Sequence, residues 1–202
     1  MWIDTEPQVK RYFGEQNMAQ LLASRQVEVI RIPEFKEELT VTTSVYGMKS
    51  LFGFRNTFIY DSQGLPCYRT WSMGAFVDKG TGKLKSVDDD TIRSMTLEPK
   101  LEMNYRDRRI TVPLEGALVQ EPIQVMRADI DYNRHMNNAN YVRMAMELLP
   151  EGYRVKQLRV EYRVAVKQGD TLIPTIFHTA NGIVVTFTVR NEVSAIIEFR
   201  DD

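Results

Sequence analysis

A shift of 132 residues lays the front of this chain over its back. Residues 6–13 fall on 138–145, Ile30-Arg31-Ile32 falls on Tyr162-Arg163-Val164, and Glu38 falls on Asp170. Few side chains match, but the order of elements, one helix and then a run of strands, repeats as well, which marks a duplicated unit. A unit of one helix and several strands buries its apolar surface by laying the helix on an antiparallel sheet, so the expected class is α+β. At the same shift His135 falls on Ile3. The first copy then has no room for a strand ahead of its helix and reads as truncated there.

The helices are short. Thr5-Glu6-Pro7 reads as a cap and a first-turn proline, with Val9, Tyr12 and Phe13 on one face and Gly14 as the stop. Asn137 or Asn138 caps the second, which carries Tyr141, Met144, Ala145, Leu148 and Leu149 at helical spacing and is ended by Pro150 and Gly152. Arg143 and Glu147 lie on its outer side. β-Branched and aromatic runs predict strands over Leu39–Tyr46, Leu51–Tyr60, Tyr68–Val77, Thr171–Thr179, Ile183–Arg190 and Val193–Phe199. Val155–Val166 alternates, with Leu158, Val160, Tyr162 and Val164 on one face. Asn181-Gly182 is a strong hairpin signal. Residues 80–122, with Pro99, Pro113 and scattered charges, read as a turn, a short element and a linker. The division expected is a first domain over 1–100, a linker over 101–120 and a second domain over 121–202.

Composition excludes several classes of protein. Hydrophobic residues make up 43 % of the 202, enough for a real core. A net charge of -1 gives no global reason to bind nucleic acid or an anionic membrane. The single cysteine, Cys67, excludes an internal disulfide and reads as a small buried hydrophobe. The two histidines, His135 and His178, lack the HxxxH or HxH spacing of a zinc site, so neither metal nor cofactor is expected. There is no apolar run of 18 residues, and the N-terminal MWIDTEPQVKRYF is polar. The expectation is a soluble, cytoplasmic, globular protein with no membrane span.

The stretch from Arg127 to Val142, RADIDYNRHMNNANYV, is where residues look selected for chemistry. Within seven residues it holds Asp129, Asp131, Asn133 and His135, the last three spaced two apart. An extended run would point those three from one face. The run leads straight into the second helix, whose first N–H groups lack internal partners and can polarise a carbonyl. Acid/base groups beside a helix N-terminus suit hydrolysis of an acyl bond. A plainer reading is a polar strand-to-helix connection, rich in asparagine because asparagine caps helices. By pattern alone both readings stand.

RADIDYNRHMNNANYV resembles the signature of the acyl-ACP thioesterases, the plant fatty-acid-chain terminators and their bacterial relatives. Asp129, Asp131, Asn133, His135, Asn137, Asn138 and Tyr141 match its pattern Asp-x-Asp-x-Asn-x-His-x-Asn-Asn-x-x-Tyr. A weaker likeness covers PEFKEELTVTTSVYGMKSLFGFRN in the first half. The resemblance implies two hot-dog domains in tandem, each a long helix wrapped by an antiparallel sheet. It implies hydrolysis of an acyl thioester on acyl carrier protein, releasing a free fatty acid, with the carrier as partner. The family's catalytic Asp, Asn and His fall on Asp131, Asn133 and His135. His135 would be the general base or proton shuttle. Asp131 would orient it or activate the water itself, and Asn133 would position the water or the thioester carbonyl. Amides near Asn137 and Asn138 would hold the substrate and its developing oxyanion. Arg134 and Arg143 are candidates for carrier binding; each also reads as an ordinary exposed arginine.

One departure from the family stands out. A further acidic residue, three positions beyond an aromatic on the strand after the helix, would align with Ala165 if the aromatic is Tyr162, with Val166 beside it. Neither does acid/base chemistry. Glu161 shares a face with Ala165 but lies about 13 Å away along a strand. The departure keeps a non-catalytic acyl-binding double hot-dog protein in view, and an acyl-CoA substrate remains an alternative to acyl-ACP. Whether a second copy closes the edge left by the missing strand, as a homodimer, stays open.

Overall fold

A computed structural model describes residues 7–201. The Thr5-Glu6 cap and the Ile3 position that pairs with His135 in the repeat lie outside the described residues. Two compact units emerge: residues up to Arg25 with Ile30–Tyr105, and Gln26–Val29 with the chain from Arg106 onward.

The first unit contains helix α1 (Pro7–Glu15), strands β1 (Met18–Val29), β2 (Thr40–Lys49), β3 (Phe52–Tyr60) and β4 (Pro66–Asp78), and helix α2 (Asp89–Ser94). The last four residues of β1 cluster with the second unit. The sheet order is β2-β3-β4-β1, with β3 antiparallel to β2 and β4. Val9 and Phe13 of α1 pack on Met18, Phe76 and Val87, with the Phe13 and Phe76 rings edge to face at 5.3 Å. Gly14 does not stop α1 as expected. The Gln16 N–H still bonds the Tyr12 carbonyl, and the turn out comes at Asn17, at φ 50°. β1 escapes pattern reading because Leu21-Leu22-Ala23 breaks any polar/apolar alternation. On the sheet face away from α1, the buried Asn56 holds the 101–105 segment, accepting from the Leu101 N–H and bonding the Tyr105 hydroxyl.

The second unit contains β5 (Leu118–Val119), β6 (Ile123–Gln124), a 3-10 turn (Arg127–Asp129), helix α3 (Asn138–Met146), β7 (Gln157–Tyr162), β8 (Thr171–Thr179), β9 (Gly182–Val189) and β10 (Glu192–Arg200). Its sheet runs β7-β10-β9-β8-β5, with β6 also pairing β8. Tyr141, Met144 and Ala145 of α3 are buried against Val160, Val185, Phe187 and Ile197. Leu158, Val160, Tyr162 and Val164 face this same core, as their alternation predicts. The strand itself is shorter than the alternating run. It ends at Tyr162 because the N–H groups of Arg163 and Val164 both turn to the Ser194 carbonyl. The hairpin loop is Ala180-Asn181, one residue earlier than expected, since Thr179 pairs with Gly182. Gly182 is needed for another reason: a Cβ there would lie 2.0 Å from the Phe199 carbonyl oxygen, and its φ is 142°.

The duplication is visible in topology. The first unit runs α1-β1-β2-β3-β4 with sheet order β2-β3-β4-β1, and the second runs α3-β7-β8-β9-β10 with order β8-β9-β10-β7. The second unit adds β5 and β6 along β8.

Candidate active site

The motif is built in the second unit by a scaffold that begins at Asp129. Its buried carboxylate accepts from the Met126 N–H at 2.9 Å, closing the 3-10 turn, and faces the Arg143 guanidinium at 3.4 Å. Its carbonyl accepts from the Asn137 N–H at 2.8 Å and from the Asn140 amide at 3.1 Å. Asp129 therefore clamps the entry of the loop to the start of α3.

Between Ile130 and Met136, which bridge antiparallel, the chain makes a tight turn. The expected extended run is not what forms. The Asp131 N–H bonds the His135 carbonyl at 2.8 Å, the Arg134 N–H returns to the Asp131 carbonyl, and Arg134 takes φ 62°. The cause is the Asp131 carboxylate. It accepts from the Asn133 N–H at 2.8 Å and from the His135 N–H at 3.4 Å, an Asx turn that competes with strand geometry. The Asn133 amide reaches its second oxygen at 3.4 Å. Asp131, Asn133 and His135 thus come together around one loop tip, not along one strand face. Asn133 is exposed and His135 half-buried, and the imidazole has no hydrogen-bond partner among the described residues.

Met136 is buried, and its N–H bonds the Val166 carbonyl at 2.8 Å, so the segment after β7 runs beside the loop. The helix start is defined by side chains. Asn137 is the cap, its Oδ1 accepting from the Ala139 N–H at 2.9 Å. The Asn140 N–H returns to the Asn137 carbonyl. That leaves the Asn138 N–H with no protein acceptor among the described residues, next to the loop. Two tyrosines hold the helix in place. Tyr162 donates to the Asn138 carbonyl at 3.0 Å, and the buried Tyr141 hydroxyl meets Ser194 Oγ at 3.0 Å, where burial pushes its pKa up. Ser194 in turn donates to the Val164 carbonyl at 2.7 Å. Sequence reading passed over Ser194 and Tyr162 in these roles, because a serine on a strand carries no local signal of its partner.

Ala165 is exposed, and its carbonyl accepts from Arg190, whose guanidinium also pairs with Asp170. Glu161 is buried on the face opposite α3, opposite Ile196, where one oxygen accepts from the Ile110 N–H and the other pairs with Arg163 at 3.1 Å. Its carboxylate anchors the 110 segment and is not free for the loop. Arg134 sits exposed at the loop tip, whereas Arg143 is tied to Asp129.

A second polar cluster lies in the first unit. Glu37, Asp61 and Cys67 present ligand-type atoms within 4.8 Å of one another beside an open cleft of about 610 Å³. The cation there is internal: Arg31 pairs with Glu37 and, at 2.8 Å, with Asp61. Asp61 also accepts from the Gln63 and Leu65 N–H groups, and Arg31 and these bonds hold its pKa below the usual carboxylate range. The cluster is a clamp on the loops it joins.

Comparison with known proteins places both units. Their sheet-and-helix architecture is the double hot-dog: an acyl-ACP thioesterase from Bacteroides thetaiotaomicron superposes with a TM-score of 0.82 at 21% identity, covering 94% of this chain and 79% of that one. A 12:0-ACP thioesterase from Umbellularia californica gives 0.81 at 14% identity, covering 94% and 77%. The family models for the acyl-ACP thioesterase N-terminal domain and C-terminal domain match residues 6–95 and 115–200, and the chain belongs to the acyl-ACP thioesterase family. Oleoyl-acyl carrier protein thioesterase 1, chloroplastic, from Arabidopsis thaliana is 25% identical over 165 residues, which is 74% of this chain and 45% of that protein. The chain thus spans less than half the length of that curated relative. No helix of the described residues is long and apolar enough to cross a membrane.

Proposed function

We propose that the chain hydrolyses fatty acyl-ACP to a free fatty acid and acyl carrier protein, with Asp131, Asn133 and His135 as its catalytic set. The observation that carries this reading is a half-buried imidazole with no hydrogen-bond partner among the described residues, two residues ahead of a helix cap. In the proposed reaction His135 takes a proton from water held by Asn133, and the oxygen attacks the thioester carbonyl carbon. The tetrahedral oxyanion receives the Asn138 N–H, with the α3 N-terminus behind it. Collapse breaks the carbon–sulfur bond, and the imidazolium returns the proton to the departing carrier thiolate. Asp131 serves mainly by shaping the loop, since backbone N–H groups already occupy its carboxylate. Asn137 acts through its cap. Arg134, at the loop tip, is the better placed of the two arginines for an acidic carrier protein.

The reading assigns chemistry to 121–202 and accommodation of the acyl chain mostly to 1–100, in a cytoplasmic protein. Purified protein given an acyl-ACP chain-length series, with thiol release recorded, tests it directly. His135→Ala should lower kcat by about 10²–10⁴-fold with little change in Tm. Unchanged turnover would remove His135 from the mechanism. Ala165 favours one rival, a non-catalytic acyl-binding protein, which would bind acyl-ACP without releasing thiol; preference for acyl-CoA in the same assay would instead reassign the carrier.

A further inference from the structure

On the first unit's sheet, the face packed by α1 holds two adjoining cross-strand pairs, Gly53 with Gly74 and Arg55 with Ser72. Phe76, two residues beyond Gly74, lies on that face and meets Phe13. Gln20 lies across the glycine pair: a Cβ on Gly74 would fall 2.3 Å from its Nε2, and one on Gly53 would fall 3.0 Å from the same atom and 3.2 Å from the Phe76 ring. No hydrogen bond holds the Gln20 amide among the described residues.

The next pair is cationic. Arg25 Nε donates to Ser72 Oγ at 3.0 Å, and Arg55 is half-buried directly across from Ser72. Neither arginine pairs with a carboxylate among the described residues. Burial, and then the like charge of Arg25, lower the Arg55 pKa. A guanidinium taken partly out of water beside another, with no counter-ion, is costly unless an anion completes the site. Guanidinium groups suit a carboxylate because their donors match its two oxygens.

We propose that Arg25, Ser72 and Arg55 form a carboxylate-binding site, and that the glycine pair beside it takes the apolar chain attached to that carboxylate. The ligand class is a free fatty acid. Recognition of the head group rests on the two guanidinium groups and the serine hydroxyl. Rotation of the untethered Gln20 side chain opens the strip over Gly53 and Gly74 to methylene groups, with the Phe76 ring as its wall. Only the role of the ligand, a retained reaction product, rests on the proposed hydrolysis; its binding does not.

Calorimetric titration of the full chain with decanoate, 1-decanol and inorganic phosphate tests the site. Decanoate should bind the natural protein, and Arg55→Gln should weaken it on the order of tenfold or more, the worth of a charged hydrogen bond. Binding of 1-decanol should not respond to the substitution. Ser72→Ala, a smaller change, should weaken decanoate in the same direction if Arg55→Gln does not fold. Equal decanoate affinity in the folded variants overturns the proposal, and so does phosphate binding as tight as decanoate with the same Arg55 dependence. Because binding is read without turnover, failure of acyl-ACP hydrolysis leaves this result standing, and the converse also holds.

Discussion

At the scale of single residues, the motif separates into groups that shape the loop and groups left free to react. Asp129 and Asp131 both spend their carboxylates on local backbone N–H groups. Among the described residues the His135 imidazole has no hydrogen-bond partner and the Asn138 N–H has no acceptor. Ala165 is the residue to probe next. It lies beside Val166, whose carbonyl binds Met136, so a glutamate there would enter the neighbourhood of His135. At ~4 Å and an effective dielectric near 20, an opposite charge is worth about 4 kcal/mol of Coulomb energy before desolvation. Ala165→Glu is expected to move the pH–rate profile upward, since a nearby carboxylate favours the protonated imidazole. Arg190, already on the Ala165 carbonyl, would compete for the new carboxylate. The shift should therefore be larger with Arg190→Gln added. A profile that stays in place in both folded variants would mean that position 165 does not reach the site.

At the scale of elements, the start of α3 and the Arg31 clamp make separate predictions. Asn137→Ala removes the cap and should cost about 1 kcal/mol of stability by urea unfolding. Under the proposed mechanism it should also lower kcat more than it raises KM, because the Asn138 N–H it positions would bind the oxyanion most strongly in the transition state. The Arg31 clamp predicts a pH effect. Arg31 is the largest cause of the lowered carboxyl pKa values of both Glu37 and Asp61. A lowered folded-state value stabilises the protein above the unfolded carboxylate range, and that stability is lost as pH falls through the folded values. Arg31→Gln should therefore lower the urea midpoint at neutral pH, and the gap to the natural protein should close below about pH 4. A gap that persists in acid would mean the arginine acts through packing.

At the scale of the whole molecule, the two units are not two cuttable segments of chain. Gln26–Val29 cluster with the second unit, where the Val29 N–H bonds the Lys156 carbonyl and Gln26 accepts from the Arg106 N–H. A fragment starting at Arg106 lacks those residues and leaves backbone groups that they satisfy open to solvent or to another strand. It should show a lower urea midpoint or concentration-dependent association by analytical ultracentrifugation, whereas a fragment starting at Gln26 should keep its second unit folded. Equal behaviour of the two fragments would mean that the four residues contribute nothing.

What the chain declares by itself is whatever depends on neighbours in sequence. The repeat, the α+β class, the Tyr141–Met144–Ala145 stripe, the face shared by Leu158, Val160, Tyr162 and Val164, and the crowding of polar residues over 129–138 all follow from periodicity, turn chemistry and spacing. The family signature was readable for the same reason, because its residues are contiguous. Tertiary structure decided whatever depends on a partner far along the chain or on competition between two local geometries. Asp-x-Asn-x-His carries the spacing of a strand face, yet it closes into a turn because the Asp131 carboxylate is satisfied at once by the N–H groups that follow it. Glu161 lies too far along its strand to stand in for Ala165, but what occupies its carboxylate, the N–H of Ile110 fifty-one residues away, is set only by the fold. Arg25, Ser72 and Arg55 stand far apart in sequence, and only the antiparallel register of β3 and β4 and the reach of Arg25 from β1 bring them into one row. Periodicity reports which way a side chain points; it holds no information about what another strand will set opposite it.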